Sequence, residues 1–195
     1  MNILNNNYFN EFKKSLENLD FQKLDNLVYE IKKISLRKGR IFFLGVGGSA
    51  GNSSHAVNDF RKICKIDAYT PVDNVSELTA RTNDDGFDFI FSDYLKCSNL
   101  NKNDAIFIFS VGGGNVKHNV SVNLIQAIKF AKKKKSKVFS VVGKKDGYAF
   151  KNSNIAIDIP VTNKKYITPI SEAMQAVIWH FLVSDKRLQK NETKW

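Results

Sequence analysis

The fold is signalled most clearly by the stretch Asp104-Ala-Ile-Phe-Ile-Phe-Ser110, which the glycine-rich turn Val111-Gly-Gly-Gly-Asn115 follows directly. A short apolar run that ends at a turn is typical of a strand buried on both faces. Further runs predict strands at Arg40–Gly45, Ala68–Pro71, Lys137–Gly143 and Asn154–Ile159. Helical stretches of about 10–15 residues separate these runs, which predicts an α/β fold with a parallel sheet covered on both faces.

Apolar residues at helical spacing predict the helices, two of them within Asn5–Leu36, broken near Leu19 and Asp20. The others are predicted at Asn52–Cys64, from a cap at Asp73 or Asn74 through Arg81, and at Phe87–Leu95, Asn119–Lys134 and Ile170–Val183. No repeat or linker divides the chain, so residues 1–195 are expected to form one domain. Residues 1–38 would supply helices for packing or oligomerisation, and residues 39–195 the core.

The composition is that of a globular protein, with 43% apolar and 25% charged residues in 195. No apolar run approaches the roughly 20 residues that cross a bilayer, and the N-terminus lacks the pattern of a signal peptide. We therefore expect a cytoplasmic protein with no membrane contact. The two cysteines, Cys64 and Cys97, fit neither a metal spacing nor a disulfide framework, and we expect both to be buried.

The chain is strongly basic, with a formal net charge of +11. Such a charge attracts nucleic acid, an anionic membrane or a phosphorylated small molecule. Lysine dominates over arginine, the run Lys132–Lys135 falls at a predicted helix end, and no nucleic-acid-binding motif accompanies it. We interpret the charge as a solvated surface, and nucleic-acid binding is the weaker alternative.

Two glycine-rich turns follow predicted strands, the first being Gly45-Val-Gly-Gly-Ser-Ala-Gly-Asn-Ser-Ser54 and the second Ser110–Asn115. Backbone N–H groups of such turns can bind an anion beside a helix N-terminus. The first turn matches neither the Walker loop nor the dinucleotide fingerprint, so no nucleotide cofactor is predicted. Two turns of this kind favour a phosphate-type ligand over simple connections.

Few residues can carry acid–base or metal chemistry. His55 and Asp59 share one helix face, and Glu172 and His180 lie on the last predicted helix, about 12 Å apart along its axis. These four could bind a divalent metal or serve as acid and base. Equally, His55 and Asp59 could be a surface pair and His180 a half-buried histidine. His118 follows the second turn and is expected beside the ligand or on the surface.

In this order, the motifs resemble the sugar isomerase (SIS) domain of phosphoheptose isomerases over nearly the whole chain. The resemblance is carried by Gly45–Ala50 with His55 and Asp59, by Arg81-Thr-Asn-Asp-Asp-Gly-Phe-Asp-Phe-Ile-Phe91, by the Ser110 turn and by Glu172…His180. It implies a three-layer αβα sandwich of the flavodoxin-like type with a five-stranded parallel sheet, assembled into a homotetramer. It also implies conversion of sedoheptulose 7-phosphate to a heptose 7-phosphate, at subunit interfaces and often with zinc.

Carried over by position, the resemblance implies that Asp59 and His180 transfer the proton. Zn²⁺ would be held by His55, Asp59, Glu172 and His180. The substrate would be bound by Gly47, Gly48, Ser49, Asn83, Asp84, Ser110, Gly112, Gly113, Gly114 and Glu172.

The sequence also departs from the family pattern. Asp59 stands in place of a glutamate and Glu172 in place of a glutamine. Val111 and the three glycines after it replace most hydroxyl residues of the phosphate loop, so phosphate there would depend more on backbone amides. These changes leave the particular sugar open, and the alternative function is a non-catalytic module that binds a sugar phosphate and regulates a partner.

Overall fold

The computed structural model describes residues 7–192, so the predicted helix start at Asn5 lies outside the described residues. Its five strands form one all-parallel sheet in the order β2-β1-β3-β4-β5, which confirms the predicted fold class. The strands are β1 Ile41–Leu44, β2 Ala68–Tyr69, β3 Ala105–Ser110, β4 Lys137–Val142 and β5 Ile155–Asp158. The described helices are α1 Asn7–Glu17, α2 Phe21–Leu36, α3 Gly48–Lys62, α4 Val75–Asp85, α5 Ile90–Cys97, α6 Val122–Lys133, α7 Tyr148–Asn152 and α8 Ile167–Ser184.

Strand β3 is the central strand, with β1 on one side and β4 on the other. All six of its residues are buried, because helices cover both faces of the sheet. Asp104, just before β3, is 2% exposed, and its carboxylate accepts hydrogen bonds from Arg40 Nε at 3.2 Å and Nη2 at 2.7 Å. This buried ion pair ties the start of β3 to the start of β1.

Two apolar layers lie on opposite faces of the sheet. Alternate strand residues such as Phe43 and Phe107, with ring centroids 5.1 Å apart, face α2, α3 and α8. Their neighbours Phe42 and Ile106 face α5, α6 and α7. Helix α3, which follows β1, and helix α6, which follows β3, therefore lie on different faces of the sheet. The chain thus leaves these two neighbouring strands in opposite directions, which forms the crevice where ligands of such sheets bind.

Helix boundaries follow local chemistry. Asp20 caps α2 by accepting from the N–H of Lys23, which places the predicted break between α1 and α2. Glu11 ties α1 to the loop after β5. Its carboxylate accepts hydrogen bonds from Thr162 Oγ1 at 2.8 Å and from the N–H of Asn163 at 2.9 Å. These bonds hold the pKa of the Glu11 carboxyl below its usual value, and the bond from the N–H of Asn163 has the largest effect.

Helix α4 runs on to Asp85, past the predicted end at Arg81, and α5, α6 and α8 each begin three residues from the predicted position. Three further features differ from the sequence predictions. Helix α3 begins at Gly48 rather than Asn52, because Gly47 takes φ +64° and turns the chain into the helix directly after β1. The short helix α7 was not predicted. The prediction that both cysteines are buried is wrong for Cys97, which ends α5 and is exposed, whereas Cys64 is buried.

The exposed lysines agree with the interpretation of the net charge as a solvated surface. Lys132–Lys135 are exposed at the C-terminal end of α6, where cations complement the helix dipole. None of the helices within residues 7–192 combines the length and the apolar character that a membrane-spanning helix needs.

Candidate active site

The two glycine-rich turns lie side by side at the carboxyl ends of the adjacent strands β1 and β3. The first has no room for a side chain at Gly45, since a Cβ added there would lie 2.3 Å from the carbonyl oxygen of Ser49. Close packing of β1 against the start of α3 thus requires glycine at this position.

The first turn already holds a negative charge from the chain itself. A Cβ added at Gly48 would lie 2.5 Å from a carboxylate oxygen of Glu172, so this carboxylate sits against the first residue of α3. A helix N-terminus carries partial positive charge, which favours a carboxylate at this place. An anionic ligand at the first turn would therefore meet the charge of Glu172.

Ser49 is turned inward. It is 2% exposed, and its hydroxyl donates to Gln175 Oε1 at 3.0 Å. Asn52 Nδ2 donates to the same oxygen at 3.1 Å and to the carbonyl of Glu172 at 3.0 Å. These bonds join α3 to α8, and any contact of Ser49 with a substrate would fall to its backbone N–H.

The second turn is fixed by a hydrogen bond within it and by two more from α7. Ser110 Oγ accepts from the N–H of Gly113 at 2.9 Å, and Gly113 and Gly114 have φ of +70° and +84°. Their carbonyls accept from the N–H groups of Ala149 and Tyr148, both at 2.8 Å. Ser110 is 8% exposed, so its hydroxyl shapes the turn.

Beside the second turn lies an open pocket of about 690 Å³, which we name the lysine pocket. It is lined by Val111, Gly112, Lys144, Lys145, Asp146, Lys164, Ile167 and Thr168. Lys145 is engaged by Asp158 at 3.0 Å. Asp146 adds one carboxylate to the lining, so that Lys144 and Lys164 together leave the pocket with a net positive charge. The pocket adjoins the N-terminus of α8.

A second group of functional side chains lies farther along α3 and α8. One ligand atom each of His55, Asp59 and His180 lies within 4.8 Å of the others. His55 Nε2 is 3.9 Å from Asp59 Oδ2, and the His55 and His180 ring centroids are 5.6 Å apart. We call these three residues the histidine cluster. Both histidines are exposed, so a substrate or ion can reach them.

The backbone of α8 fixes the orientation of His180. Its Nδ1 lies 2.8 Å from the carbonyl oxygen of Ala176, which can only accept, so Nδ1 carries the proton. The buried Trp179 stacks on the ring, with centroids 3.4 Å apart. A neutral His180 in this tautomer has its lone pair on Nε2, which can serve as a metal ligand or a base.

The remaining predicted site residues lie apart from the histidine cluster within one chain. Glu172 precedes His180 by eight residues, a rise of about 12 Å, and its carboxylate is at Gly48. Asn83 and Asp84 lie on α4, which buries none of its residues, and bond to each other at 2.8 Å. His118 is exposed in the loop after the second turn. The structure therefore brings together three of the four predicted metal ligands.

The histidine cluster fits a zinc ion in its donor types. Two imidazoles and one carboxylate, with an open fourth position, form a donor set used by catalytic zinc sites. The bond from His180 Nδ1 to a backbone carbonyl is the outer contact that commonly orients a metal-bound histidine.

Sequence reasoning missed Lys144 and Lys164 of the lysine pocket, and Gln175 on α8. A signal was present for the lysines, since Lys144 directly follows the predicted strand that ends at Gly143, on the same edge as the glycine-rich turns. Nothing in the sequence marks Gln175 as the partner of Ser49.

Comparison with known proteins identifies the family, although no family model matches the chain. The phosphoheptose isomerase of Buchnera aphidicola subsp. Acyrthosiphon pisum (strain Tuc7) is 31% identical over 189 residues, which cover 94% of this chain and 90% of that protein. The lincomycin biosynthesis protein LmbN of Streptomyces lincolnensis is 29% identical over 150 residues, or 74% of this chain. The match spans about half of LmbN, 54% of its length.

A solved structure shows the same fold. The phosphoheptose isomerase of Neisseria gonorrhoeae aligns with a TM-score of 0.76 at 20% identity, over 90% of this chain and 91% of that chain. The parallel five-stranded sheet agrees with this likeness. On the strength of the Buchnera relative, this chain belongs to the phosphoheptose isomerase family of sugar-phosphate isomerases, as a divergent member.

Proposed function

We propose that the protein interconverts an aldose phosphate and a ketose phosphate, with sedoheptulose 7-phosphate as the first substrate to test. The observation that carries this proposal is the convergence of Asp59, His55 and His180 within 4.8 Å on an exposed surface. A carboxylate beside an imidazole provides the base and the acid that movement of a proton next to a carbonyl requires.

In the proposed mechanism, Asp59 removes the proton from the carbon beside the carbonyl, and the electrons form a cis-enediol. His180 exchanges a proton with the two substrate oxygens through Nε2, since Nδ1 is engaged by Ala176. Return of the proton from Asp59 to the neighbouring carbon completes the isomerisation. The ring of His55 lies against Trp179, with centroids 4.6 Å apart, and its Nε2 is 3.9 Å from the Asp59 carboxylate.

We propose Zn²⁺ as the metal for this cluster, held by His55, Asp59 and His180. Metal binding is an alternative to the proton exchange by His180, because its Nε2 cannot hold a metal and accept a proton at the same time. When bound, zinc would polarise the substrate carbonyl and so acidify the adjacent carbon. Glu172 could join this set only from another copy of the chain, because it lies about 12 Å along α8 from His180.

Assembly of several copies is part of this proposal. Thr168 in the lysine pocket and His180 are twelve residues apart on α8, about 18 Å, whereas C2 and the phosphorus of a seven-carbon sugar phosphate are separated by roughly 9 Å. A substrate with its phosphate at the second turn therefore needs the histidine cluster of another copy. Val177 and Phe181, 40% and 41% exposed beside His180, offer apolar surface for such a contact. The resemblance implies a homotetramer, which light scattering would measure.

The test is incubation of the purified protein with sedoheptulose 7-phosphate and other ketose phosphates in D₂O, with and without zinc. Isomerisation should place solvent deuterium on the carbon next to the carbonyl, which mass spectrometry detects. Thermal stabilisation by the sugar phosphates without turnover or deuterium uptake would instead support the non-catalytic binding module. Absence of both stabilisation and turnover would refute a sugar-phosphate function.

A further inference from the structure

We propose that the phosphate of the substrate is held in the lysine pocket by the side chains of Lys144 and Lys164, as a charge anchor that replaces hydroxyl groups. This inference rests on the proposed function, since it specifies how that site recognises its ligand. It assigns binding to two residues that lie outside both glycine-rich turns.

The first step is that the first turn disfavours a phosphate. The carboxylate of Glu172 lies against Gly48 at the N-terminus of α3, where a bound phosphate would otherwise benefit from the helix dipole. Two anions at one helix end repel each other, and Ser49 has turned its hydroxyl toward Gln175. The negative group of the ligand is therefore directed elsewhere.

The second step is that the second turn offers few hydroxyls of its own. The hydroxyl of Ser110 is used within the turn, where it accepts the N–H of Gly113. Val111 and Gly112 line the pocket with no hydroxyl side chain. Backbone amides supply dipoles but no full charge, so cations from outside the turn would strengthen the binding of a phosphate there.

The third step is that the cations are present and available. Lys144 follows β4 after one residue, and Lys164 belongs to the single turn of 3₁₀-helix that leads into α8. Both line the pocket, and neither is in an ion pair among those of residues 7–192. Lys145, in contrast, is paired with Asp158. An ammonium group is a point charge that suits a phosphate approaching from several directions.

Two further groups favour an anion here. Thr168 places a hydroxyl in the pocket within the first turn of α8, whose N-terminus has no side-chain cap and no acidic residue. Ser171 is completely buried and its hydroxyl has no partner. Ser171 packs against Gly143, which precedes Lys144 in the chain and donates its N–H to the carbonyl of Val111. Lys144 and Val111 line the pocket, so the unpaired hydroxyl of Ser171 borders it.

The test compares the Lys144→Gln/Lys164→Gln double variant with Lys133→Gln, which removes an equally exposed lysine at the end of α6. Inorganic phosphate binding is measured by calorimetry, and KM and kcat with the active sugar phosphate. We expect the double variant to weaken phosphate binding and raise KM by roughly ten-fold or more, with kcat reduced less than about three-fold. Lys133→Gln should match the wild type in each quantity.

The outcomes separate this proposal from the proposed function. Turnover with an unchanged KM in the double variant would overturn the lysine anchor and leave the isomerase intact. Phosphate binding that depends on the two lysines, in a protein that turns over no sugar phosphate, would support the anchor and refute the isomerase. A Glu172→Gln variant that binds phosphate at least ten-fold more tightly would place the anion at the first turn and refute the anchor. Melting temperatures close to that of the wild type confirm that the variants are folded.

Discussion

Replacement of Asp59 by asparagine tests the proposed base without altering its surroundings. The side chain is 14% exposed, its Oδ1 accepts from Asn58 Nδ2 at 2.8 Å, and its Oδ2 is 3.9 Å from His55 Nε2. Asparagine has the same shape and keeps one accepting oxygen, so the bond from Asn58 can persist. Because the pair with His55 is long and partly solvated, we expect unfolding free energy to change by less than about 1 kcal/mol.

The catalytic effect should be much larger. A positioned general base contributes about 10²–10⁴-fold to rate, or roughly 2.7–5.4 kcal/mol of barrier. Asp59→Asn should therefore lower kcat by at least about a hundred-fold, while the lysine pocket about 18 Å from His180 along α8 keeps its phosphate affinity.

Deuterium uptake from D₂O is the direct assay, because it reports removal of the carbon-bound proton whether or not product accumulates. Asp67→Asn, a change of the same chemistry at an exposed residue before β2, serves as the matched control and should match the wild type. Zinc affinity is measured in parallel, since Asp59 is also a candidate ligand. Retention of deuterium uptake within about three-fold of the wild type in Asp59→Asn would show that another group is the base.

Three further predictions concern stability and reactivity. Glu11→Gln should destabilise the protein by about 2 kcal/mol in urea unfolding at pH 7. A backbone N–H of the loop after β5 lowers the pKa of Glu11 in the folded state. The stability difference should therefore shrink as the pH falls below 4.5, the ordinary pKa of a glutamate. Asp104→Ala should cost about 3 kcal/mol, because the Arg40 guanidinium loses its carboxylate and the backbone N–H groups of Arg40 and Asn101 lose their acceptor. A loss below about 1 kcal/mol would contradict this role of the carboxylate. Burial raises the pKa of Cys64 to about 12, so iodoacetamide at pH 8 should label Cys97 alone in the native protein, as judged by peptide mass spectrometry.

Strand positions could be predicted from the sequence because each strand is a continuous apolar run that ends at a turn. The start of α3 could not, since glycines and serines have low helix propensity, and the helix exists there because Gly47 turns the chain and α8 packs alongside. The five residues of α7 are too few to show a period. The exposure of Cys97 depends on which side of α5 faces the sheet. The position of Cys97 at the end of the helix does not indicate which side this is.

The histidine cluster was partly visible in the sequence. The spacing of His55 and Asp59 places them on one face of any helix, and this remains true whatever surrounds them. Their approach to His180 depends on the alignment of α3 beside α8, which the bonds among Ser49, Asn52 and Gln175 set. The grouping of Glu172 with these residues rested on its place on the same predicted helix as His180, and within one chain the rise of that helix keeps it apart.

The contact between Gly48 and Glu172 has a consequence for how this sequence can drift. An added methyl group at position 48 would lie 2.5 Å from the carboxylate, and this carboxylate ends a flexible side chain that can move aside. Alanine at position 48 would therefore displace a negative charge from the N-terminus of α3 rather than disrupt the packing, whereas a shorter residue at position 172 requires no change at Gly48. Sequences that carry a side chain at position 48 should thus more often carry a shorter residue at position 172, more than a hundred positions away.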